Sequence, residues 1–162
     1  MKAKLIAVMV GLSGFVSAGE SKIVVEPELP VLGDTMYIEA LAGYSFDSPA
    51  SSFGGGVEFG VFLSDSFAVE AGYEYIELNR ANHQFSVGGV FFPNVSLLGL
   101  EPFVSLGGAY QTLVDEYGAY SGVGVSLPIS NQISAFTEGR YLYLFDSKED
   151  EVSVRLGIRI KF

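Results

Sequence analysis

The sequence contains no cysteine and no tryptophan, and only 17% of its 162 residues are charged. Without cysteine, disulfide bonds, thiol nucleophiles and zinc-thiolate sites are excluded. Basic residues are scarce as well, since nine Lys and Arg oppose nineteen Asp and Glu and give a formal net charge of −10. A surface that neutralises many nucleic-acid phosphates is therefore not expected. After residue 18 there is also no apolar run long enough to cross a membrane as a helix.

The residue types that are abundant point to a different class of structure. The chain has 20 glycines, 14% aromatic residues and a mean hydropathy of +0.36. Soluble globular domains carry about 25% charged residues, so this composition is unusual for one of them. Membrane-crossing strands fit both the apolar composition and the lack of a spanning helix.

Residues 1–18 have the features of a secretory signal peptide. Two lysines precede an apolar run at 5–12, and small residues end the segment at Ala18. This order predicts export, with cleavage after Ala18, and the apolar run is too short for a membrane anchor. Residues 19–34 contain two prolines and no regular period, so they are predicted to form an irregular periplasmic lead-in.

From residue 35 onwards the sequence follows a period of two, which the last segment shows best. Ser153, Gly157 and three basic residues lie on one face of this segment, and the other face is wholly apolar, with Val152, Val154, Leu156, Ile158, Ile160 and Phe162. Successive side chains of a strand point to opposite faces. The same division recurs in eight segments between turn-forming residues, at 36–46, 53–63, 67–76, 83–92, 102–112, 117–127, 133–145 and 152–162.

Eight such segments predict an all-β fold, an eight-stranded antiparallel up-and-down transmembrane β-barrel over residues 35–162. Each segment reaches the length of about 9 to 11 residues that a tilted strand needs to cross a bilayer. The short connections imply antiparallel neighbours. Closure of the barrel leaves no unpaired strand edge in the hydrocarbon.

The cost of placing charge in lipid decides which face of each strand is outside. A Lys or Arg on the lipid face costs about 2 to 4 kcal/mol near the bilayer midplane, so the charged face must line the lumen. By the same argument, nine charged residues are predicted to point into the lumen: Glu39, Glu58, Glu70, Glu74, Glu138, Arg140, Arg155, Arg159 and Lys161. Five acids and four bases in one lumen predict a network of salt bridges. Its middle level is expected to hold Glu58, Glu74, Glu138, Arg140 and Arg155.

Two further expectations concern glycine and aromatic residues. Because an eight-stranded barrel is only just wide enough for its own side chains, inward glycines are expected to make room for large neighbours. Aromatic residues near strand ends are expected to form girdles at the two water interfaces. These girdle residues are Tyr37, Phe46, Phe53, Phe67, Tyr73, Tyr75, Tyr110, Tyr117, Tyr143, Phe145 and Phe162.

The chain combines a predicted signal peptide, eight two-faced strands and a last strand that ends in an aromatic residue. In these features it resembles the small outer-membrane barrels of Gram-negative bacteria. The group is that of the OmpA transmembrane domain, OmpX and Ail. The resemblance implies an integral protein of the bacterial outer membrane. It also implies that the outer-membrane assembly machinery reads Phe162 together with Leu156, Ile158 and Ile160. The outer loops depart from the adhesins of that group, because they are only about four to six residues long.

A wide diffusion pore is not expected, because open aqueous channels need about 16 strands and this lumen is filled by side chains. The leading hypothesis is a non-enzymatic barrel with a structural or surface-interaction role. An interior Glu/Arg cluster blocks or gates the lumen in the OmpA-like group, so the alternative is a narrow ion channel gated by this network. A third hypothesis is a lipid-modifying enzyme that uses His83 with Ser86. These two residues would lie on opposite faces of a strand, without a nearby acid to orient the imidazole. A soluble lipocalin-like barrel would need apolar residues inside, opposite to the charge placement here.

The expected partners are outer-membrane lipid and lipopolysaccharide, and the assembly machinery during insertion. The protein is expected to be a monomer without a nucleic-acid partner, a metal or a cofactor. The outer loops carry an acidic rim of Asp47, Glu77, Asp115, Glu116, Asp146, Glu149, Asp150 and Glu151, opposed by Arg80 and Lys148. We interpret this rim as a solvated surface, with divalent-cation binding near lipopolysaccharide phosphates as the alternative.

Overall fold

The computed structural model of the chain describes residues 36–46, 52–77 and 81–162. The predicted signal peptide at 1–18, the lead-in at 19–34, and Asp47 and Arg80 of the predicted rim lie outside these residues. Within them, no helix is long and apolar enough to cross a membrane. The described chain forms eight strands: β1 Met36–Ser45, β2 Ser52–Ser64, β3 Phe67–Glu77, β4 Ala81–Phe91, β5 Glu101–Gln111, β6 Glu116–Pro128, β7 Ile133–Leu144 and β8 Asp150–Lys161.

The eight strands form one closed antiparallel barrel. Each strand pairs with the next along the chain, and β1 pairs with β8 to close the ring. The predicted fold class is therefore confirmed, and every predicted strand boundary lies within two residues of the observed one. The short turns between strands leave antiparallel pairing of sequence neighbours as the simplest arrangement.

The two ends of the barrel are named here by their connections. At the terminal end lie the start of β1, the end of β8 and the turns that join β2 to β3, β4 to β5 and β6 to β7. At the loop end lie the other four connections, which include residues 112–115 and 145–149. Tilted strands of 10 to 13 residues separate the two ends, a length that spans the hydrocarbon of a bilayer.

Alternation along each strand separates an apolar outer face from a polar lumen. On β8, Val154, Leu156 and Ile160 are exposed, whereas Arg155 and Arg159 between them are buried. In water, a continuous belt of exposed Val, Leu, Ile and Phe would be an aggregation hazard, but in a bilayer it is the surface that lipid covers.

Tyr37 corrects the predicted aromatic girdles, because it lies inside the lumen and is fully buried. Its position near a strand end suggested a girdle, but the period of two places it on the same face as Glu39. Tyr120 also points inward. The other tyrosines lie on the outer face in the half of the barrel nearer the loop end: Tyr44, Tyr73, Tyr75, Tyr110, Tyr117, Tyr141 and Tyr143. The loop end therefore carries the polar aromatic girdle.

Candidate functional site

The lumen holds five buried glutamates and three buried arginines of the described chain. They come from five strands, β1, β2, β3, β7 and β8, and each lies at an inward position of its strand. Charged groups at membrane depth are stable only when they pair with one another or meet water. Their contacts therefore define what the lumen can do.

Arg155 of β8 is the centre of the charge network and is 1% exposed. Its two terminal nitrogens lie 2.6 Å from a carboxylate oxygen of Glu138 and 2.6 Å from one of Glu58. The second of these nitrogens is also 3.0 Å from Glu74. One guanidinium thus holds three carboxylates from three strands, which is the geometry in which Arg pairs most strongly.

Arg140 of β7 contacts the same three carboxylates. Its terminal nitrogens lie 3.2 Å from Glu138, 3.4 Å from Glu58 and 3.7 Å from Glu74. Its guanidinium carbon also lies 4.2 Å from the ring centroid of Tyr120, close enough for a cation–π interaction. We call these three glutamates with Arg140 and Arg155 the central network. Ser105, which the sequence analysis did not single out, donates a hydrogen bond to Glu138 within it.

Arg159 of β8 lies nearer the terminal end and is held in a different way. Its Nε atom lies 2.5 Å from a carboxylate oxygen of Glu39. Four aromatic rings surround its guanidinium carbon, with centroids at 4.8 to 5.5 Å, from Tyr37, Phe92, Phe103 and Phe136. The apolar part of this cluster was missed in the sequence, although the period of two already placed Phe92 on the lumen face of β4.

The rings around Arg159 form a continuous chain. Their centroids are 5.1 Å apart for Tyr37 and Phe62, 5.5 Å for Phe62 and Phe92, and 5.9 Å for Phe92 and Phe103. Phe136 follows at 6.2 Å from Phe103. We call these five rings the aromatic layer. Leu41 and Val90 are buried against it.

Glycine makes room for the rings of the aromatic layer. Tyr37 pairs across the sheet with Gly60, Phe103 with Gly124, and Phe136 with Gly157. A Cβ added at any of these glycines would overlap the ring that lies above it. Inward glycines therefore accommodate large side chains, as the narrow lumen requires.

Glu70 departs from the predicted ion pairing, since its partner is the hydroxyl of Tyr37, which donates a hydrogen bond of 2.5 Å. Its carboxylate lies near those of Glu39 and Glu58, with one oxygen of each within 4.8 Å of the others. Three close carboxylates are a possible metal cage by distance. Glu39 and Glu58, however, already hold Arg159 and Arg155, so we assign the three acids to the charge network.

Lys161 corrects the predicted network at the terminal end. It is only partly buried, and among the described residues no carboxylate lies within ion-pair distance of it. Its ammonium lies 5.7 Å from the ring centroid of Phe62. Because Lys161 is partly exposed, water can solvate its ammonium. The buried charges of the described lumen therefore include two more carboxylates than guanidinium groups.

Uncharged polar side chains continue the lumen toward the loop end. Gln111 donates hydrogen bonds to Gln84 at 3.0 Å and to Glu151 at 3.3 Å, and Gln84 donates to Glu74 at 3.5 Å. These amides were not identified from the sequence. Their inward positions on β4 and β5 were the available signal.

His83 lies on the outer face of β4, away from the lumen charges. Its Nδ1 is 2.7 Å from the hydroxyl of Tyr73, and its ring contacts that of Tyr75. Ser86 is buried on the lumen face of the same strand. The structure therefore does not bring His83 and Ser86 together.

The residues of the predicted assembly signal lie together on the outer face of β8. Leu156, Ile158, Ile160 and Phe162 are all exposed there. At the chain end, Phe162 exchanges backbone hydrogen bonds with Met36 at 2.9 and 3.2 Å, which closes β8 against β1. The predicted signal thus sits on the strand that completes the barrel.

Comparison with solved structures gives the class of this fold. The N-terminal β-barrel domain of Pseudomonas aeruginosa OprF matches with a TM-score of 0.65 at 22% identity, over 78% of this chain and 96% of that one. A de novo designed transmembrane β-barrel matches with a TM-score of 0.61 at 23% identity, over 80% and 96%. Neisserial surface protein A matches with a TM-score of 0.61 at 16% identity, over 79% and 97%. No protein-family model and no curated protein matches the sequence.

The fold is that of the small outer-membrane barrels. The predicted resemblance to the OmpA, OmpX and Ail group is confirmed at the level of fold. At these identities the match does not transfer a ligand or an activity. A designed barrel shares the fold, which shows that function has to be argued from the site.

Proposed function

We propose that this protein is a non-enzymatic integral barrel of the bacterial outer membrane, with a structural or surface-interaction role and a lumen closed by its own side chains. The observation that carries the proposal is the separation of the two faces. Eight charged side chains are buried inside, and the outer face is an apolar belt. Lipid and lipopolysaccharide are the partners that fit this belt and the tyrosine girdle at the loop end.

Matched arginine substitutions on the outer face test this proposal. Leu106 is exposed in the middle of β5, and Leu113 is exposed in the connection at the loop end. Arginine costs about 2 to 4 kcal/mol at the bilayer midplane and about 0 to 1 near an interface. We expect Leu106→Arg to reduce recovery of the heat-modifiable, membrane-inserted form strongly, and Leu113→Arg to leave it near the wild-type level. Equal recovery of both variants, or a wild-type protein found in the soluble periplasm, would refute a membrane location.

The proposed recognition by the assembly machinery concerns the end of β8. We expect Phe162→Ser to lower assembly in cells, where the assembly machinery has to recognise the strand. Refolding into detergent micelles should stay unchanged, because it takes place without that machinery. Phe145→Ser at the loop end is the matched control, since Phe145 is also exposed but lies outside the last strand. If Phe162→Ser lowered refolding in micelles as much as assembly in cells, Phe162 would be needed for the barrel itself.

A further inference from the structure

The two halves of the lumen differ in how they exclude water. Toward the loop end, the described residues line an open cavity of about 30 Å³, which has room for about two water molecules. It extends from Ser45, Ser52 and Glu151 to Arg140 and Arg155. Its lining combines these polar groups with the apolar side chains of Ile76 and Leu142, and its inner end is the central network.

Unpaired polar atoms support water in this cavity. Five buried side-chain atoms of the described residues lack a hydrogen-bond partner in the protein. Three of them, Ser45 Oγ, Arg140 Nε and Arg155 Nε, belong to residues that line the cavity, and the other two, Ser126 Oγ and Ser134 Oγ, lie near the terminal end. A buried donor left without an acceptor costs about 1 to 3 kcal/mol, and water entering from the loop end removes this cost.

The terminal half is closed by rings and has a different lining. The aromatic layer brings side chains from β1, β2, β5 and β7, and Phe92 directly after β4, into contact around Arg159 of β8. On the remaining two strands, Ala68 is fully buried and pairs across the sheet with Phe62, and Phe103 lies over Gly124. All eight strands or their ends therefore surround this closure. A constriction lined by apolar groups stops ions because water leaves it.

We propose that the aromatic layer, and not the central network, is the permeability barrier of the barrel. The lumen is then a blind pocket that opens at the loop end and admits water as far as Arg140 and Arg155. Along the lumen as a whole, cations are favoured over anions because the buried acids outnumber the buried bases by two. This inference rests on the proposed function, since it requires the barrel to span a membrane.

Conductance of purified protein in planar bilayers separates the two candidate barriers. We expect the charge-neutral double variant Glu138→Gln with Arg140→Gln to conduct no more than wild type. We expect Phe92→Ala with Phe103→Ala to conduct at least about tenfold more, with selectivity for potassium over chloride. Phe91→Ala is the matched control, because Phe91 is exposed on the outer face next to Phe92. An open Glu138/Arg140 variant, or a closed Phe92/Phe103 variant, would overturn the proposal.

Thiol labelling gives a second readout that does not depend on conductance. The chain has no cysteine, so Ser153→Cys places a single thiol in the loop-side pocket. In vesicles with uniformly oriented barrels, we expect a charged, membrane-impermeant thiol reagent to modify it from one compartment only. Adding Phe92→Ala and Phe103→Ala should permit modification from both compartments. Modification from both compartments without these changes would contradict a blind pocket.

Heat-modifiable migration on a gel shows whether each variant is folded, so a failure to fold is distinguished from a change in the barrier. A wild-type chain that does not insert into vesicles would refute the proposed function. A wild-type chain that inserts, together with an inserted Glu138/Arg140 variant that conducts, would refute only the assignment of the barrier. An inserted Glu138/Arg140 variant that conducts overturns the assignment of the barrier even where the double alanine variant fails to fold.

Discussion

Arg155 and Arg159 stand four residues apart on the same face of β8 and are almost equally buried, yet their surroundings differ. Arg155 is held by three carboxylates, whereas Arg159 has one carboxylate and four aromatic rings. The first site depends on charge balance and the second on shape. The comparison shows that one narrow lumen stabilises buried guanidinium groups in two separate ways. Loss of charge should therefore destabilise the half around Arg155, and a change of side-chain volume the half around Arg159.

The largest expected effect is the removal of the charge at the centre of the network. Arg155→Met leaves Glu58, Glu74 and Glu138 with Arg140 as their only close cation in the described structure. Breaking a buried pair in this way costs about 3 to 5 kcal/mol. Urea unfolding in micelles, followed by the heat-modifiable gel shift, should show this loss of unfolding free energy. A loss below about 1 kcal/mol would mean that the network contributes little to stability.

The second prediction addresses the junction between the two halves. Tyr37→Phe keeps the ring in the aromatic layer but removes the hydroxyl that donates to Glu70. Hydrogen bonds to charged groups contribute about 1.5 to 3 kcal/mol, and we expect the free energy of unfolding to fall by that amount. Tyr44→Phe on the outer face is the matched control and should be close to wild type. Equal effects of the two substitutions would show that the Glu70 contact is unimportant.

The third prediction tests the dependence of the aromatic layer on shape. Gly124→Ala places a methyl group in the ring of Phe103, whereas the nearest atom to a Cβ at Gly139 is 4.0 Å away. Overpacking costs about 1 to 3 kcal/mol. We expect Gly124→Ala to lower the urea midpoint and Gly139→Ala to leave it nearly unchanged. Similar midpoints for both would mean that the layer tolerates repacking.

The smallest effect is expected at Lys161, the last inward residue of β8. Lys161→Gln removes a charge that has no ion pair within the described residues and only a distant ring contact. Exposed charges contribute about 0 to 1 kcal/mol, so the unfolding midpoint should hardly move. A loss comparable to that of Arg155→Met would require Lys161 to belong to the buried network after all.

Periodicity predicted much of this barrel, because side-chain direction along a strand follows from sequence position alone. The alternation on β8 predicted which of its residues face the lumen, and Arg155 and Arg159 are buried as the cost of charge in lipid requires. Tyr37 shows the strength of the same rule, since alternation and position near a strand end disagreed and alternation was correct.

The contacts across the lumen could not be predicted from the same pattern. Arg155 meets Glu58 across 97 positions of sequence, and which residues share a level depends on strand tilt and register around the closed barrel. The aromatic layer was missed for a related reason. Phe92, Phe103 and Phe136 come from three strands, and each is unremarkable alone, so only closure of the barrel brings them around Arg159.

Fluorescence quenching along β8 tests the central claim most directly, namely that alternate residues of this strand face lipid and lumen. Single cysteines at Ile158 and Ser153 would each carry a small environment-sensitive fluorophore in lipid vesicles. The account predicts that brominated lipids quench the probe at Ile158 and that an aqueous cationic quencher, caesium, quenches the probe at Ser153. Quenching of the Ser153 probe by brominated lipid, with the Ile158 probe open to caesium, would contradict it.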